Sequence, residues 1–404
     1  MRRSFASLLA ACAAAVLSTA PAAAQEKTPP APAPWPIKLS AVPGKGLTVT
    51  SLDDRFAVNL RGRIQLRNTF THTDESDTNE INVRTVRLNL SGHVLVPDLK
   101  YAVQLAFGTN DFDRDNPSPV FDAYVEYTRL RDLNVRVGQF FVPFDRARTV
   151  REFALQLIDR QQIVQELTLD RDVGLMLYSN DFLGTRGILS YALFVGGGEG
   201  RNRFGGQSMG PLTVLRLTVR PFGPFDDDRE GDLQRLPRPR VALGFAGGYN
   251  LQTNRQRSTY GTTLALGTFD YSHAAADLVL KYRGFSLLTE VVVRKASRAL
   301  LSGEVDGETV QEASRSGWGY FVQGGFMLTD MVEIAARWDR LHAFPGTDPA
   351  LVELVASQGN QVGAGVNLYL NEHALKLQAD YARFFGDDSP GARDLVRLQL
   401  DATF

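Results

Sequence analysis

The sequence feature that most constrains the fold is a strict two-residue alternation, clearest in residues 56–70, FAVNLRGRIQLRNTF. Apolar side chains take most of the even positions, whereas Arg61, Arg63 and Arg67 take odd ones. Successive side chains of a β-strand point to opposite faces. The segment is therefore predicted to be a strand with one apolar face and one face that carries three guanidinium groups.

The same alternation recurs along the chain in long runs, and the sequence predicts sixteen strands. The predicted strands cover residues 56–70, 86–96, 99–107, 121–127, 133–144, 171–180, 187–197, 211–222, 240–250, 274–283, 285–296, 317–329, 331–342, 360–370, 374–385 and 394–404. Most runs have ten residues or more, close to the roughly nine to eleven that a membrane-spanning strand needs. Soluble β-sandwiches use shorter strands of about five or six residues.

Short and long connections alternate between these runs. Tight joins such as RLRD at 129–132 and NEH at 371–373 are separated by long polar joins at 71–80, 108–118, 145–170, 198–210, 251–273, 297–316, 343–359 and 386–393. One rim with turns and one rim with loops is typical of an outer-membrane barrel. The fold class is therefore predicted to be all-β, a transmembrane antiparallel barrel of about 16 strands with long extracellular loops. The stretch 222–240 is long where a tight turn is expected.

The N-terminal residues predict export. Residues 1–24 combine a basic start, a weakly apolar centre and an A-x-A site before Gln25, which is typical of a signal peptide cleaved near Ala24. An uncleaved anchor, or a lipoprotein signal at Cys12, are the alternatives. Residues 25–45 are Pro-rich and are predicted to be an extended periplasmic lead-in. The barrel is then assigned to residues 46–404, in the outer membrane of a Gram-negative bacterium.

Composition and motifs argue against several other functions. The 44 basic and 45 acidic residues balance, so the chain lacks the basic excess of a nucleic-acid-binding protein. The five histidines show no metal-ligand spacing, and no nucleophile elbow or phosphate loop is present. No enzyme activity, metal or cofactor is therefore predicted. Glu199 and Asp226–Asp228 are interpreted as solvated loop acids, with a calcium site at the rim as the alternative.

Several segments resemble one family, the phosphate-selective porins O and P. GLTVTSLDDRFAVNLRGRIQLR, with a G-R-x-Q core, resembles its first strand, and VRTVRLNLSGHV resembles its second. DAYVEY followed by VRVGQFFVPF is the most specific match, and the C-terminal strand that ends at Phe404 resembles a barrel assembly signal. The resemblance implies a trimeric sixteen-stranded porin whose third long loop folds into the lumen. Family members often carry lysine after G-Q-F, where this chain has Phe141.

In a barrel of this size the polar face of each strand points into an aqueous lumen. Guanidinium groups stay charged and bind phosphate oxygens as a planar fork, and rings of arginine select anions in pores. The arginines predicted to contact anions in the pore are Arg61, Arg63, Arg67, Arg84, Arg87, Arg136, Arg146, Arg148 and Arg151. Further cations on inward positions are Lys100, Arg216, Arg294, Arg337, Lys376 and Arg397.

The loop 145–170 is the predicted constriction, because its middle part is too apolar for a solvated cap and has a partly helical period. The expected function is passive diffusion of small anions, with phosphate or polyphosphate among the candidates, through an outer membrane whose lipid the barrel contacts. A weakly selective general porin is the first alternative, because inward acids such as Asp122 and Asp401 can pair with the arginines. A soluble secreted β protein or a barrel-type hydrolase is the alternative from another class.

Overall fold

A computed structural model of the chain describes residues 37–108, 111, 118–203, 210–387 and 391–404. The predicted signal peptide and residues 25–36 of the predicted lead-in lie outside this range. The described strands are β1 (Ile37–Val42), β2 (Gly46–Ser51), β3 (Phe56–Thr73), β4 (Asp77–Val94), β5 (Val96–Ala106), β6 (Val120–Tyr127), β7 (Asn134–Phe141), β8 (Arg171–Ser179), β9 (Leu189–Gly196), β10 (Leu212–Val219), β11 (Arg240–Thr253), β12 (Phe269–Tyr282), β13 (Phe285–Ala296), β14 (Leu300–Val305), β15 (Glu308–Ala313), β16 (Gly317–Met327), β17 (Val332–Ala343), β18 (Asn360–Asn371), β19 (Leu375–Phe385) and β20 (Arg393–Thr403). The described helices are α1 (Arg146–Thr149), α2 (Gln162–Leu167) and α3 (Pro349–Gln358), with single 3₁₀ turns at Glu152–Ala154 and Phe182–Gly184.

Sixteen of the strands, β3 to β13 and β16 to β20, form a closed antiparallel barrel in which each strand pairs with its neighbour in the chain. The barrel closes where β20 pairs with β3, in a register that runs from Arg393 opposite Thr73 to Thr403 opposite Arg63. The predicted sixteen-stranded barrel is therefore confirmed. The β1–β2 hairpin adds to the start of β3, and β14 and β15 form a separate hairpin within a long loop.

The alternation of the first run separates an apolar outer face from a polar inner face. On β3, Ile64 and Leu66 are 38% and 44% exposed, whereas the intervening Gln65 is 3% exposed. The exposed apolar residues form the outer surface, as contact with lipid hydrocarbon requires. The closed sheet also pairs the backbone of each strand with its neighbours, which a membrane-spanning structure needs. Among the described residues no helix has both the length and the apolarity to cross a membrane.

One end of the barrel has mostly tight turns, and we call it the tight-turn end; the other is the long-loop end. Between β12 and β13, Arg283 and Gly284 both have positive φ, +49° and +86°, as a two-residue type I′ hairpin requires. Several predicted boundaries are wrong. The long join 71–80 is mostly strand, because β3 and β4 continue as a paired hairpin to residues 73 and 77. The turn between the predicted strands 86–96 and 99–107 lies at Leu95 and not at residues 97–98.

The last residue closes the barrel seam. The backbone of Phe404 exchanges two hydrogen bonds with that of Gly62, at 2.8 and 2.9 Å. A Cβ at position 62 would lie 2.5 Å from the Phe404 ring. Gly62 therefore makes room for the C-terminal aromatic ring, which gives the glycine of the G-R-x-Q segment a packing role.

The third long join, residues 142–170, folds into the lumen and forms an internal core. Its α2 residues Ile163, Val164 and Leu167 are completely buried, and they belong to the main apolar cluster of the barrel. Polar groups of the inner wall hold the loop backbone: the N–H of Ile158 donates to Asp380 at 3.0 Å. The prediction of an inward-folded third loop is confirmed.

Candidate functional site

Two cavities lie between the loop 142–170 and the inner wall of β3 to β8. The larger, about 610 Å³, reaches the tight-turn end, where Lys45 and Glu372 line it. The smaller, about 330 Å³, reaches the long-loop end, where Asp111 and Tyr260 line it. Five residues line both cavities: Arg87, Phe121, Arg148, Glu152 and Arg160. The two cavities therefore meet at these five side chains, and we call this set of residues the junction.

Basic side chains outnumber acidic ones on the cavity walls. The described basic residues that line one or both cavities are Lys45, Arg61, Arg63, Arg67, Arg84, Arg87, Arg148, Arg151, Arg160, Arg171, Arg201 and Arg229. The acidic ones are Asp111, Asp122, Glu152, Asp159, Asp170 and Glu372. Twelve cations against six carboxylates give these walls an excess of positive charge.

Seven of the nine arginines selected from the sequence line these cavities. Arg61, Arg63 and Arg151 line the larger cavity, and Arg67 and Arg84 line the smaller one. Arg87 and Arg148 belong to the junction. Arg136 and Arg146 line neither cavity.

Arg136 faces inward but is covered by aromatic rings. Its guanidinium lies 4.4 Å from the Tyr124 ring centre and 5.4 Å from that of Phe140, and it pairs with Glu126 on the neighbouring strand. A cation held between rings and a carboxylate gains cation–π and ion-pair stabilisation. Strand parity predicted its direction but not this covering layer.

Arg146 lies deep inside the loop, on the side away from the cavities. It pairs with Asp277 of β12 and, at 2.9 Å, with Asp227 of the segment between β10 and β11. The backbone N–H groups of Arg146 and Ala147 donate to Glu290 at 2.8 and 3.0 Å. Arg146 therefore anchors the loop to the wall.

The wall arginines differ in how far their charge is balanced. Arg63 pairs with Asp401 of the adjacent β20 at 2.6 Å, and Arg67 pairs with Asp159 of the loop at 2.9 Å. Arg61 and Arg84 form no ion pair with any carboxylate that the structure describes. These two side chains therefore carry positive charge that no direct ion pair compensates, one in each cavity.

Two phenylalanine rings organise the arginines near the junction. Phe121 has Arg87 at 4.0 Å and Arg171 at 4.5 Å from its ring centre. The ring centre of Phe141 lies 3.7 Å from Arg171 and 5.3 Å from Arg151. Guanidinium groups stack well on aromatic faces. Position 141 thus supplies no cation of its own but positions arginines from two other segments.

Glu152 is the one carboxylate among the described residues that lines both cavities. Arg87 lies 3.4 Å and Arg63 3.6 Å from its Oε2. Burial alone would raise the pKa of Glu152, but the guanidiniums of Arg87 and Arg63 hold that pKa well below its usual range. The carboxylate therefore stays ionised and links the loop to two wall arginines.

The sequence-based prediction did not include five basic residues of the cavity walls: Lys45, Arg160, Arg171, Arg201 and Arg229. Arg171 begins β8 on the same parity as Val173 and Leu175, which face outward, so the alternation of that strand could not have found it. Arg160 donates to the carbonyl of Val150 at 2.6 Å within the loop. Its position, like that of Lys45, Arg201 and Arg229, depends on how connecting segments fold, which strand periodicity does not encode.

The opposite inner wall is filled. Arg216, Arg294, Arg337, Lys376 and Arg397, predicted as inward cations, do face inward but lie under the loop. Lys376, for example, is fully buried and donates to the carbonyls of Phe153 and Leu155 at 2.9 and 2.8 Å. These cations hold the loop and do not line the cavities.

The acids considered for calcium have other partners. Asp227 is 5% exposed and pairs with Arg146 and Arg220, both at 2.9 Å, so its interpretation as a solvated loop acid is wrong. Over the described parts of the chain, no group of three histidine, aspartate or glutamate side chains is placed to hold a metal ion.

The comparisons with known proteins agree with this geometry. The family model described as phosphate-selective porin O and P matches residues 56–402. No curated protein matches the chain significantly.

Solved porin structures share the fold at low sequence identity. An anion-selective porin from Comamonas acidovorans aligns with a TM-score of 0.54 and 13% identity, over 86% of this chain and 99% of that one. The outer-membrane channel DcaP of Acinetobacter baumannii gives 0.54 and 14%, over 88% and 99%. The outer-membrane protein OmpT of Vibrio cholerae, in its trimer form, gives 0.51 and 11%, over 87% and 100%.

The family match extends over nearly the whole described barrel, from the first barrel strand to the last. Together with the apolar outer face it identifies an outer-membrane protein of a Gram-negative bacterium and a porin channel, which excludes the soluble secreted alternative. The chain belongs to the phosphate-selective porin O and P family.

Proposed function

We propose that the chain forms a water-filled channel through which small inorganic anions diffuse passively. The observation that supports this most directly is the twofold excess of basic over acidic side chains on the two cavities, with Arg87, Arg148 and Arg160 where they meet. Anions are expected to cross the membrane through the gap between the filled half of the lumen and the wall formed by β3 to β8. The tight-turn end is the periplasmic end in this proposal.

Guanidinium groups suit this task because they stay charged at any working pH and present several donors in one plane. An anion that enters a cavity exchanges part of its hydration shell for these donors, and a sequence of similar sites lets it move on. Arg61 and Arg84 attract the ion in the two cavities. The junction arginines contact it where the passage turns around Glu152.

Arginine forks bind phosphate oxygens through two parallel hydrogen bonds, and we propose phosphate as the preferred solute. A weakly selective diffusion pore is the second candidate. It is favoured by the carboxylates that neutralise part of the wall, above all Asp401 beside Arg63 and Asp159 beside Arg67. The proposed channel acts by diffusion and needs no catalytic group, in contrast to a barrel hydrolase.

Single-channel conductance in planar bilayers tests the anion proposal. Replacing potassium chloride by lithium chloride should change the conductance little, because the cation carries little of the current. Replacing it by potassium acetate should lower the conductance strongly. The opposite pattern would show that cations carry the current and would reject the proposal.

Titration of inorganic phosphate into the chloride solution then distinguishes the two candidates. A phosphate-preferring channel should lose chloride current at phosphate concentrations far below that of chloride, because phosphate occupies the junction longer. A weakly selective pore should show only the small change that follows from ionic strength. Loss of current would support phosphate, and its absence would support general diffusion.

Assembly and export complete the proposal. We infer a homotrimer, as in the trimer form of Vibrio cholerae OmpT, and cleavage of a signal peptide near Ala24. Mass spectrometry of the mature N-terminus and of the intact detergent-solubilised assembly tests both. A mature chain that begins at Met1, or a monomeric assembly, would contradict these two inferences.

A further inference from the structure

The segment between β10 and β11, residues 220–239, lies at the tight-turn end, yet it enters the barrel. We call it the turn insertion. Asp227, Glu230 and Asp232 are 5%, 3% and 2% exposed, which is unusual for acidic residues in a connection. A long solvated turn would leave these carboxylates in water, so their burial indicates a folded position inside the lumen.

The turn insertion contacts the third loop on the side of the tight-turn end. Asp227 pairs with Arg146 at 2.9 Å, and Glu230 accepts a hydrogen bond from the N–H of Gln156 at 2.7 Å. The N–H of Glu230 donates to the carbonyl of Ala154 at 3.3 Å. Backbone and side-chain groups of the insertion therefore complete the polar contacts of the loop.

The same segment also binds the inner wall. Glu230 accepts from Gln323 of β16 at 2.6 Å, and the ammonium of Lys281 on β12 donates to the carbonyl of Asp226 at 2.7 Å. Asp232 accepts from the N–H of Gly284 at 2.8 Å. These contacts extend over β12, the turn between β12 and β13, and β16, so the insertion covers one side of the lumen.

One residue of the insertion points the other way. Arg229 lines the larger cavity, and it pairs with Asp226 at 3.1 Å. Its neighbour Glu230 faces the filled side. The insertion therefore has one face that packs against the loop and wall and one edge that borders the open passage.

We propose that the turn insertion is an internal plug that closes the part of the barrel beside β12, β13 and β16 and sets the size limit of the pore. Sixteen strands alone enclose a wide aqueous lumen. The loop 142–170 fills the middle of one side of the lumen, and the insertion fills the space between this loop and the tight-turn end. Solutes are thereby confined to the passage along β3 to β8. The proposal rests on the proposed channel but not on its anion preference.

Excision of the plug tests this proposal by conductance. A variant in which Asn-Gly replaces residues 222–238 should show a single-channel conductance raised by roughly twofold, because less of the sixteen-stranded lumen is filled. Neutral sugars too large for the wild-type channel should also enter liposomes that carry the variant. An unchanged conductance and an unchanged sugar size limit, in a variant that keeps heat-modifiable migration, would overturn the proposal.

Two single-cysteine variants keep the proposal testable if the chain that lacks the turn insertion does not fold. The single cysteine of the chain, Cys12, lies in the predicted signal peptide, so the purified barrel offers a background without other thiols. Modification of Arg229→Cys with a bulky neutral maleimide should lower the conductance, since this position borders the passage. Arg238→Cys, exposed on the same segment and outside both cavities, is the matched control. Equal effects at both positions, or none at 229, would contradict the plug.

These outcomes are independent of ion selectivity. A channel that prefers cations would reject the proposed function and could still gain conductance on excision. An anion-selective channel whose conductance does not change when residues 222–238 are replaced would contradict only the plug proposal.

Discussion

Replacing both Arg61 and Arg84 by glutamate is expected to abolish most of the anion preference of the channel. Each arginine lines one cavity and has no ion pair with a described carboxylate, so its charge is less compensated than that of the paired wall arginines and acts on a passing ion. A unit charge about 8 Å away is worth about 0.5 kcal/mol in water. A change of four charges should therefore lower the anion-to-cation permeability ratio by roughly tenfold after salt screening, as measured by the reversal potential.

Two controls accompany this variant. Arg61→Lys with Arg84→Lys keeps both charges and should keep most of the selectivity. Arg186→Glu with Arg238→Glu changes the charge equally at exposed positions outside both cavities, and it should leave the reversal potential near that of the wild type. An equal shift in this second control would mean that net charge, not the cavity wall, sets the preference.

Replacing Glu166 by glutamine is expected to destabilise the third loop and with it the barrel. Glu166 is 4% exposed and pairs with three arginines: Arg294 at 2.8 Å, Arg315 at 2.9 Å and Arg257 at 3.1 Å. Loss of this carboxylate leaves the fully buried guanidinium of Arg294 without a counter-charge, which typically costs about 3–5 kcal/mol. Denaturant unfolding of the purified protein, followed by the loss of heat-modifiable migration, should show a lowered midpoint.

Glu353→Gln provides the reference for this measurement. Glu353 is exposed on α3, and its substitution should leave the midpoint unchanged. Single-channel recordings of the Glu166 variant should also show frequent current fluctuations, because its α2 segment has lost its ion pairs to Arg294, Arg315 and Arg257. A midpoint equal to that of the wild type, with quiet currents, would show that the loop depends on its apolar packing alone.

The barrel could be predicted from the sequence because each strand carries its own signal. The pattern of residues 56–70 specifies both a strand and the side that faces lipid, and no distant residue is needed to interpret it. Sixteen repetitions, separated by alternating joins, leave few other folds. The boundaries were less certain, since pairing extends β3 and β4 beyond the point where their alternation is clear.

The site was only partly predictable because its electrostatics depend on long-range pairing. Parity shows that Arg63 faces inward, but its partner Asp401 lies 338 residues away in the chain. Arg136 and Arg397 have the same parity signal as Arg61, yet rings cover the first and the third loop covers the second. The folding of irregular segments decides which inward arginines contact water, and local periodicity carries no information about it.

The turn insertion illustrates the same limit. Its acidic run, Asp226–Asp228, has the composition of a solvated loop, and only the anomalous length of the connection indicated a special role. The partners that bury Asp227 and Glu230 belong to the third loop and to β16. The fold of one connection thus depends on that of another.

The reversal potential of the wild-type channel under a KCl gradient tests the central claim most directly. The excess of basic side chains along the two cavities predicts a potential close to the equilibrium potential of chloride. A potential close to that of potassium would contradict the account, because it would mean that the arginines lining the cavities are neutralised or do not face the path of the ions.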